Sequence, residues 1–144
     1  MILLDTNVLS ETLKPAPSEV VLRWLGSQDR AEVYISTITQ AEMLYGVEIL
    51  PAGRRKAKLA TVIAQLFAEE FRGRILGFDE DAAREFARIV AARDRMGRPI
   101  SHADAMISAI ARSRGATVAT RNVADFQGSG VRVVDPWRGG ATNG

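Results

Sequence analysis

The chain has no cysteine, and its 144 residues include a single histidine, His102. The first absence excludes disulfides, thiolate metal sites and a cysteine nucleophile, and it fits a reducing cytoplasm, the expected location. A lone histidine beside a helix start reads as a surface residue or substrate contact rather than a metal ligand. Long apolar runs are also missing. No stretch approaches the ~18 residues that span a bilayer, so no membrane association is expected. The apolar start, Met1–Leu4, lacks a basic lead and is cut by Asp5, which argues against a signal peptide. Charge of one sign is scarce: 19 basic against 17 acidic residues leave +2. The pI near 9.4 therefore reflects many arginines, and any nucleic-acid contact must come from local clustering.

What remains is an ordinary globular composition, 47% hydrophobic and 25% charged, suited to one domain with one core. Strand signals fall at residues 2–4, Val33-Tyr34-Ile35, Ile75-Leu76-Gly77-Phe78, Thr117–Thr120 and Val131–Val134. Helical patterns alternate with them. Ser18 caps one helix, and Thr37 with Gln40 is spaced as a capping box for the next, which reaches about Leu50. A further helix runs from about Arg54 to Phe71, another follows Asp79 to Met96, and a last one follows Ser101 to Gly115. Strands alternating with helices predict an α/β fold of three layers, a central parallel five-stranded sheet flanked by helices. Residues 139–144 read as a disordered tail.

Four carboxylates sit oddly in this frame. Asp5, Glu42, Asp104 and Asp125 each fall just after a strand or near a helix start. In an open α/β sheet such positions converge on one edge, where a crevice forms. Each has a plainer reading: Asp5 as a helix cap, Asp104 in Ser101-x-x-Asp104, Glu42 in Thr39-x-x-Glu42, and Asp125 in a surface turn. Glu42 fits its plainer reading least. Its helix is apolar on most of its circumference, which predicts burial, and no basic residue lies one turn away. Converging carboxylates repel unless a cation lies among them, and hard oxygen donors favour Mg²⁺ or Mn²⁺. Such an ion suits metal-assisted phosphodiester hydrolysis. Two basic groups, Arg54/Arg55/Lys56/Lys58 and Arg93/Arg95/Arg98, could hold a nucleic-acid backbone, although solvated helix faces explain them more simply. Trp24 and Trp137 read as core or dimer contacts rather than base-stacking platforms.

The motifs Leu3-Leu4-Asp5-Thr6-Asn7-Val8-Leu9-Ser10-Glu11, Ser36-Thr37-Ile38-Thr39-Gln40-Ala41-Glu42, Ile100-Ser101-His102-Ala103-Asp104-Ala105, Thr117-Val118-Ala119-Thr120-Arg121-Asn122-Val123-Ala124-Asp125-Phe126 and Asp135-Pro136-Trp137 resemble those of PIN-domain ribonucleases. Within that family they resemble VapC-like toxins of type II toxin–antitoxin pairs, most closely the FitB-like subgroup. The likeness spans roughly residues 1–138. It implies a Mg²⁺- or Mn²⁺-dependent endoribonuclease with Asp5, Glu42 and Asp104 as metal ligands. At the fourth position some relatives carry Asp where this chain has Asn122, which can bond a metal-bound water but adds no charge, so Asp125 is the candidate for the fourth carboxylate, with Thr6 and Thr120 as supporting polar groups. The resemblance also implies a homodimer and a higher assembly with a small DNA-binding antitoxin, whose C-terminal tail occludes the active site. An alternative of another class is a PIN fold that binds RNA or a partner without cutting. A dehalogenase-like site would need Asp at position 7, which is Asn, and a receiver domain would need Lys after the fifth strand, where Asp135 and Pro136 stand.

Overall fold

Ile2–Leu4 forms β1, and its place in the sheet sets the position of everything functional. In the computed structural model, which describes residues 1–141, β1 is flanked by β2 (Val33–Ser36) and β4 (Thr117–Ala119). β3 (Ile75–Leu76) pairs with β2, and β5 (Val133–Val134) with β4. All pairings are parallel, and the order is β3-β2-β1-β4-β5. Leu3 and Leu4 point to opposite faces and are both fully buried, the signature of a strand covered on both sides. One face packs on α1 (Thr6–Thr12), α2 (Glu19–Gly26), α3 (Thr37–Glu48) and α4 (Arg54–Gln65), through residues such as Val8, Val21, Met43 and Ile63. The other packs on α5 (Glu80–Arg95), α6 (His102–Arg114) and α7 (Val123–Phe126), through Ile89, Ile107, Ile110 and Phe126. The expected three-layer α/β architecture is therefore what forms.

The strand order has one consequence for function. From β1 the chain moves outward through β2 and β3, then crosses to the other side of β1 for β4 and β5. The reversal lies between β1 and β4, so a crevice opens beyond their carboxyl ends. Those ends are Asp5 and Thr120.

Several local expectations are corrected. β3 stops at Leu76; Phe78 is instead part-exposed and packs edge-on against Phe86 at 5.8 Å. β5 begins only at Val133. The cap of α3 is Ser36, one residue before the expected Thr37/Gln40 box, with its buried Oγ accepting from Thr39 N–H at 3.1 Å. Ser36→Ala is thus expected to cost about 1 kcal/mol, and Thr37→Ala much less; equal losses in urea denaturation would contradict this assignment. The helix after Gly53 closes in a π-turn over Leu66–Glu70. α7 was not anticipated.

The predicted burial of the Glu42 helix is also corrected. Glu42 itself is exposed; α3 buries Thr39, Met43 and Val47, while Leu44 is 47% exposed, Tyr45 65% and the capping Ile49 62%. An all-round apolar pattern here belongs to a helix with one face on the sheet and an apolar face left open. At the C-terminus, Gly140 N–H bonds Asp135 O at 2.9 Å and Ala141 forms a bridge with Asp135, so residues 139–141 fold back against the body. A side chain at Gly140 would collide with the Trp24 indole. The rest of the expected tail, residues 142–144, lies outside the described residues.

Candidate active site

Asp5 is the centre of the site. Oδ1 accepts from Thr6 N–H at 2.8 Å, so Asp5 does cap α1. Oδ2 is left for the crevice, where it accepts from Thr120 Oγ1 at 2.8 Å and Asn7 Nδ2 at 3.3 Å. Capping and site chemistry thus use different oxygens of one carboxyl group. Thr120 is saturated: its hydroxyl donates to Asp5 and accepts from Asn122 N–H at 3.0 Å and Asn7 Nδ2 at 3.2 Å. Together these bonds pin β1 to β4 across the switch point.

Glu42 reaches the same crevice from α3. Thr6 Oγ1 lies 2.8 Å from Glu42 Oε1 and 3.0 Å from Thr39 Oγ1. With one proton to give, Thr6 donates to the carboxylate and takes the Thr39 contact as acceptor. Asp104 arrives from the opposite layer at the start of α6, its N–H bonded to Ser101 Oγ at 3.2 Å.

The charges of Asp104 and Glu42 reach Asp5, as the smallest of the influences on it. Burial pushes the Asp5 carboxyl up from 3.8 to about 6, helped by the charges of Asp104 and Glu42 and opposed by the bonds from Thr120 and Thr6. Asp104 is also raised, first by burial and then by Asp125 and Glu42, with the Ser101 hydroxyl acting on its carboxyl and the Arg93 charge opposing. Asp125 acts on Asp104 by its charge. It is exposed, on α7, and its backbone carbonyl is held by Arg93. Asn122 caps α7 without a side-chain bond to it and touches Thr120 through its backbone N–H. Among the described residues, no three Asp, Glu or His side chains gather closely enough to hold an ion by themselves. His102 packs edge-on against Phe86 at 5.9 Å, in line with a surface role.

Sequence reasoning missed two members of this network. Asn7 links Asp5, Thr120 and Arg121, accepting from Arg121 N–H at 3.3 Å. Buried Thr39 supports Thr6. Both lie at helix starts, where a polar side chain is ordinary and gives no separate signal.

Known proteins identify the family. The PIN domain family profile matches residues 2–127. The chain belongs to the PIN-domain family. It is 44% identical over 137 residues to the toxin FitB of Neisseria gonorrhoeae, covering 95% of this chain and 99% of FitB. It is 38% identical over 137 residues to the VapC ribonuclease Y4jK of Sinorhizobium fredii, covering 95% of this chain and 98% of that protein. The crystal structure of FitAcB from Neisseria gonorrhoeae superposes with a TM-score of 0.90 at 44% identity, over 95% of this PIN domain and 99% of the solved chain. Among the described residues of this PIN domain, no helix is long and apolar enough to cross a membrane.

Proposed function

We propose that this PIN domain is the toxin of a toxin–antitoxin pair and acts as a Mg²⁺- or Mn²⁺-dependent endoribonuclease. The observation that carries this reading is Asp5: a buried carboxyl at the switch point, held by Thr120 and Asn7 and raised to about 6 beside Asp104 and Glu42. A structural cap would not need two further acidic neighbours, and their repulsion is what a cation would relieve. The relatives named as VapC ribonuclease and FitB toxin support the same reading.

The donor set fits a partly hydrated ion. Mg²⁺ keeps several waters and takes one or two protein carboxylates, so a closed cage of three is not required. Asp5, Glu42 and Asp104 would hold it, with Asp125 or Asn122 bearing on its waters. When bound, the ion would polarise a phosphoryl oxygen and lower the pKa of a coordinated water. The protein's own part is orientation. Thr120 and Asn7 fix the Asp5 carboxyl, Thr6 fixes Glu42, and Ser101 fixes the backbone of Asp104.

Two surface features support an antitoxin and a homodimer. A groove of about 560 Å³ between α1, α3 and α4 opens at Thr6 and Glu42, with Met43, Val47, Leu59 and Ile63 among its walls. The open α3 face of Leu44, Tyr45 and Ile49 supports a protein cover there. A guanidinium from an antitoxin tail would suit the carboxylates.

The test is cleavage of single-stranded RNA by the purified chain. Cleavage with Mg²⁺ that stops in EDTA and is lost in Asp104→Asn supports the reading; RNA bound but left intact by the wild type would favour a non-cutting module. Thr120→Val should push the Asp5 carboxyl higher still, because the lost bond is the main one lowering it. The acid limb of kcat/KM at subsaturating Mg²⁺ is then expected to move to higher pH, which a pH–rate profile reads directly.

A further inference from the structure

Arg121 follows Thr120 at the carboxyl end of β4, and nothing in the proposed chemistry uses it. Its backbone is fixed by the same Asn7 that reaches Asp5. Its side chain is exposed but placed, with the guanidinium carbon 5.1 Å from the centroid of the Trp137 ring. Trp137 is itself anchored. It packs against the core on the α1–α4 face, and its N–H bonds Asp135 Oδ1 at 2.9 Å. The charge of Arg121 reaches buried Glu11, whose carboxyl is lowered chiefly by Lys14, yet no carboxylate lies within ion-pair distance of Arg121 among the described residues.

An arginine stacked on an aromatic ring uses the face of its guanidinium. The N–H donors lie in the plane of the group and remain free for a planar or tetrahedral oxyanion. A polyanion entering a crevice of carboxylates needs a cation at its rim. Of the neighbouring basic groups, Arg93 is buried on backbone carbonyls and Lys14 is bonded to Glu11 at 2.9 Å, while Arg55 and Lys58 line the groove on the Glu42 side. We infer that Arg121, braced on Trp137, grips a backbone phosphate of the RNA beside the crevice and so sets the register of the strand over Asp5. This rests on the ribonuclease reading.

The test uses full-length protein and a fluorescein-labelled single-stranded RNA. Binding is measured on the Asp104→Asn background over a range of NaCl, and cleavage on the otherwise wild-type chain. Arg121→Ala is expected to weaken binding roughly tenfold and to lower the slope of log K against log[salt] by about 0.7, the loss of one phosphate contact. KM should rise while kcat changes by less than about threefold, because the contact positions substrate before and during reaction. Arg121→Lys should restore the salt slope but only part of the affinity, since a point charge lacks the stacked fork. A purely structural Arg121 would lower the melting temperature and leave the salt slope unchanged. An unchanged slope and KM in Arg121→Ala, with the wild type still cutting, overturns this inference alone. Failure of the wild type to bind or cut RNA overturns the ribonuclease reading with it.

Discussion

Asp5→Asn is expected to abolish RNA cleavage while making the metal-free protein more stable. The loss of activity should be on the order of 10³-fold or more, because the variant removes the central charge of the site. The gain in stability follows from linkage. Asp5 titrates near 3.8 when exposed and near 6 when folded. Between those values the folded state holds more protons than the unfolded state, so stability falls as pH rises and the cost is complete above about 6. A shift of about two units corresponds to roughly 3 kcal/mol. Asn occupies the same volume, accepts from Thr6 N–H and offers no charge to Asp104 or Glu42, although its Nδ2 would face the Asn7 and Thr120 donors and offset part of the gain. In EDTA the melting temperature of the variant should exceed that of the wild type by several degrees at pH 7, and the gap should close towards pH 4. Carboxylates lowered on folding, such as Asp79, act with the opposite sign and are common to both proteins. A variant no more stable than wild type at pH 7 would contradict a strained Asp5.

The second large effect concerns Arg93, which is only 4% exposed. Its Nε donates to Arg98 O at 2.7 Å, and its Nη1 to Asp125 O at 2.7 Å and Gln127 O at 2.9 Å. Among the described residues no carboxylate pairs with it directly; carbonyl dipoles and the C-terminal turn of α5 carry its charge. Arg93→Met keeps the apolar stem and strands three carbonyls. At ~1–3 kcal/mol for each orphaned group, the expected loss is about 4 kcal/mol, or a fall of ~10–15 °C in melting temperature. Arg93→Lys should recover little, because an ammonium lacks the planar fork that spans all three acceptors. The effect should reach the site as well. Arg93 ties down the Asp125 segment and opposes the rise of the Asp104 carboxyl. Thermal scans beside Arg95→Met, an exposed neighbour, make the comparison; equal melting temperatures would refute the anchoring role.

The element order is legible because it follows from local signals, β-branched runs and helix caps, and the same signals place Asp5, Glu42 and Asp104 near strand ends and helix starts. Glu42 was reached by a flawed step. The apolar sequence around it predicted burial, yet Leu44, Tyr45 and Ile49 face outward. Periodicity reports how much of a helix is apolar, not which partner covers it. Arg93 shows the opposite failure. Composition groups it with Arg95 and Arg98, but the fold buries it and leaves the other two exposed. Its role depends on carbonyls 32 and 34 residues away, a relation no window can register. Asn7 was hidden for the same reason, because its bond to Thr120 spans 113 residues. Asp125 and Asn122 remain divided in role: the first bears electrically on Asp104, and the second bonds Thr120 through its backbone.

The central claim is that Asp5, Glu42 and Asp104 share one divalent cation. Calorimetric titration of Mn²⁺ into the full-length wild type and into Asp5→Asn and Asp104→Asn, at pH 5 and pH 7.5, tests it most directly. The account predicts wild-type binding that weakens on acidification, with proton release most evident near pH 5 as Mn²⁺ displaces the proton held by the raised Asp5 carboxyl, and a loss of at least tenfold in affinity in each variant. Binding of equal strength in all three proteins, or binding indifferent to pH, would contradict it.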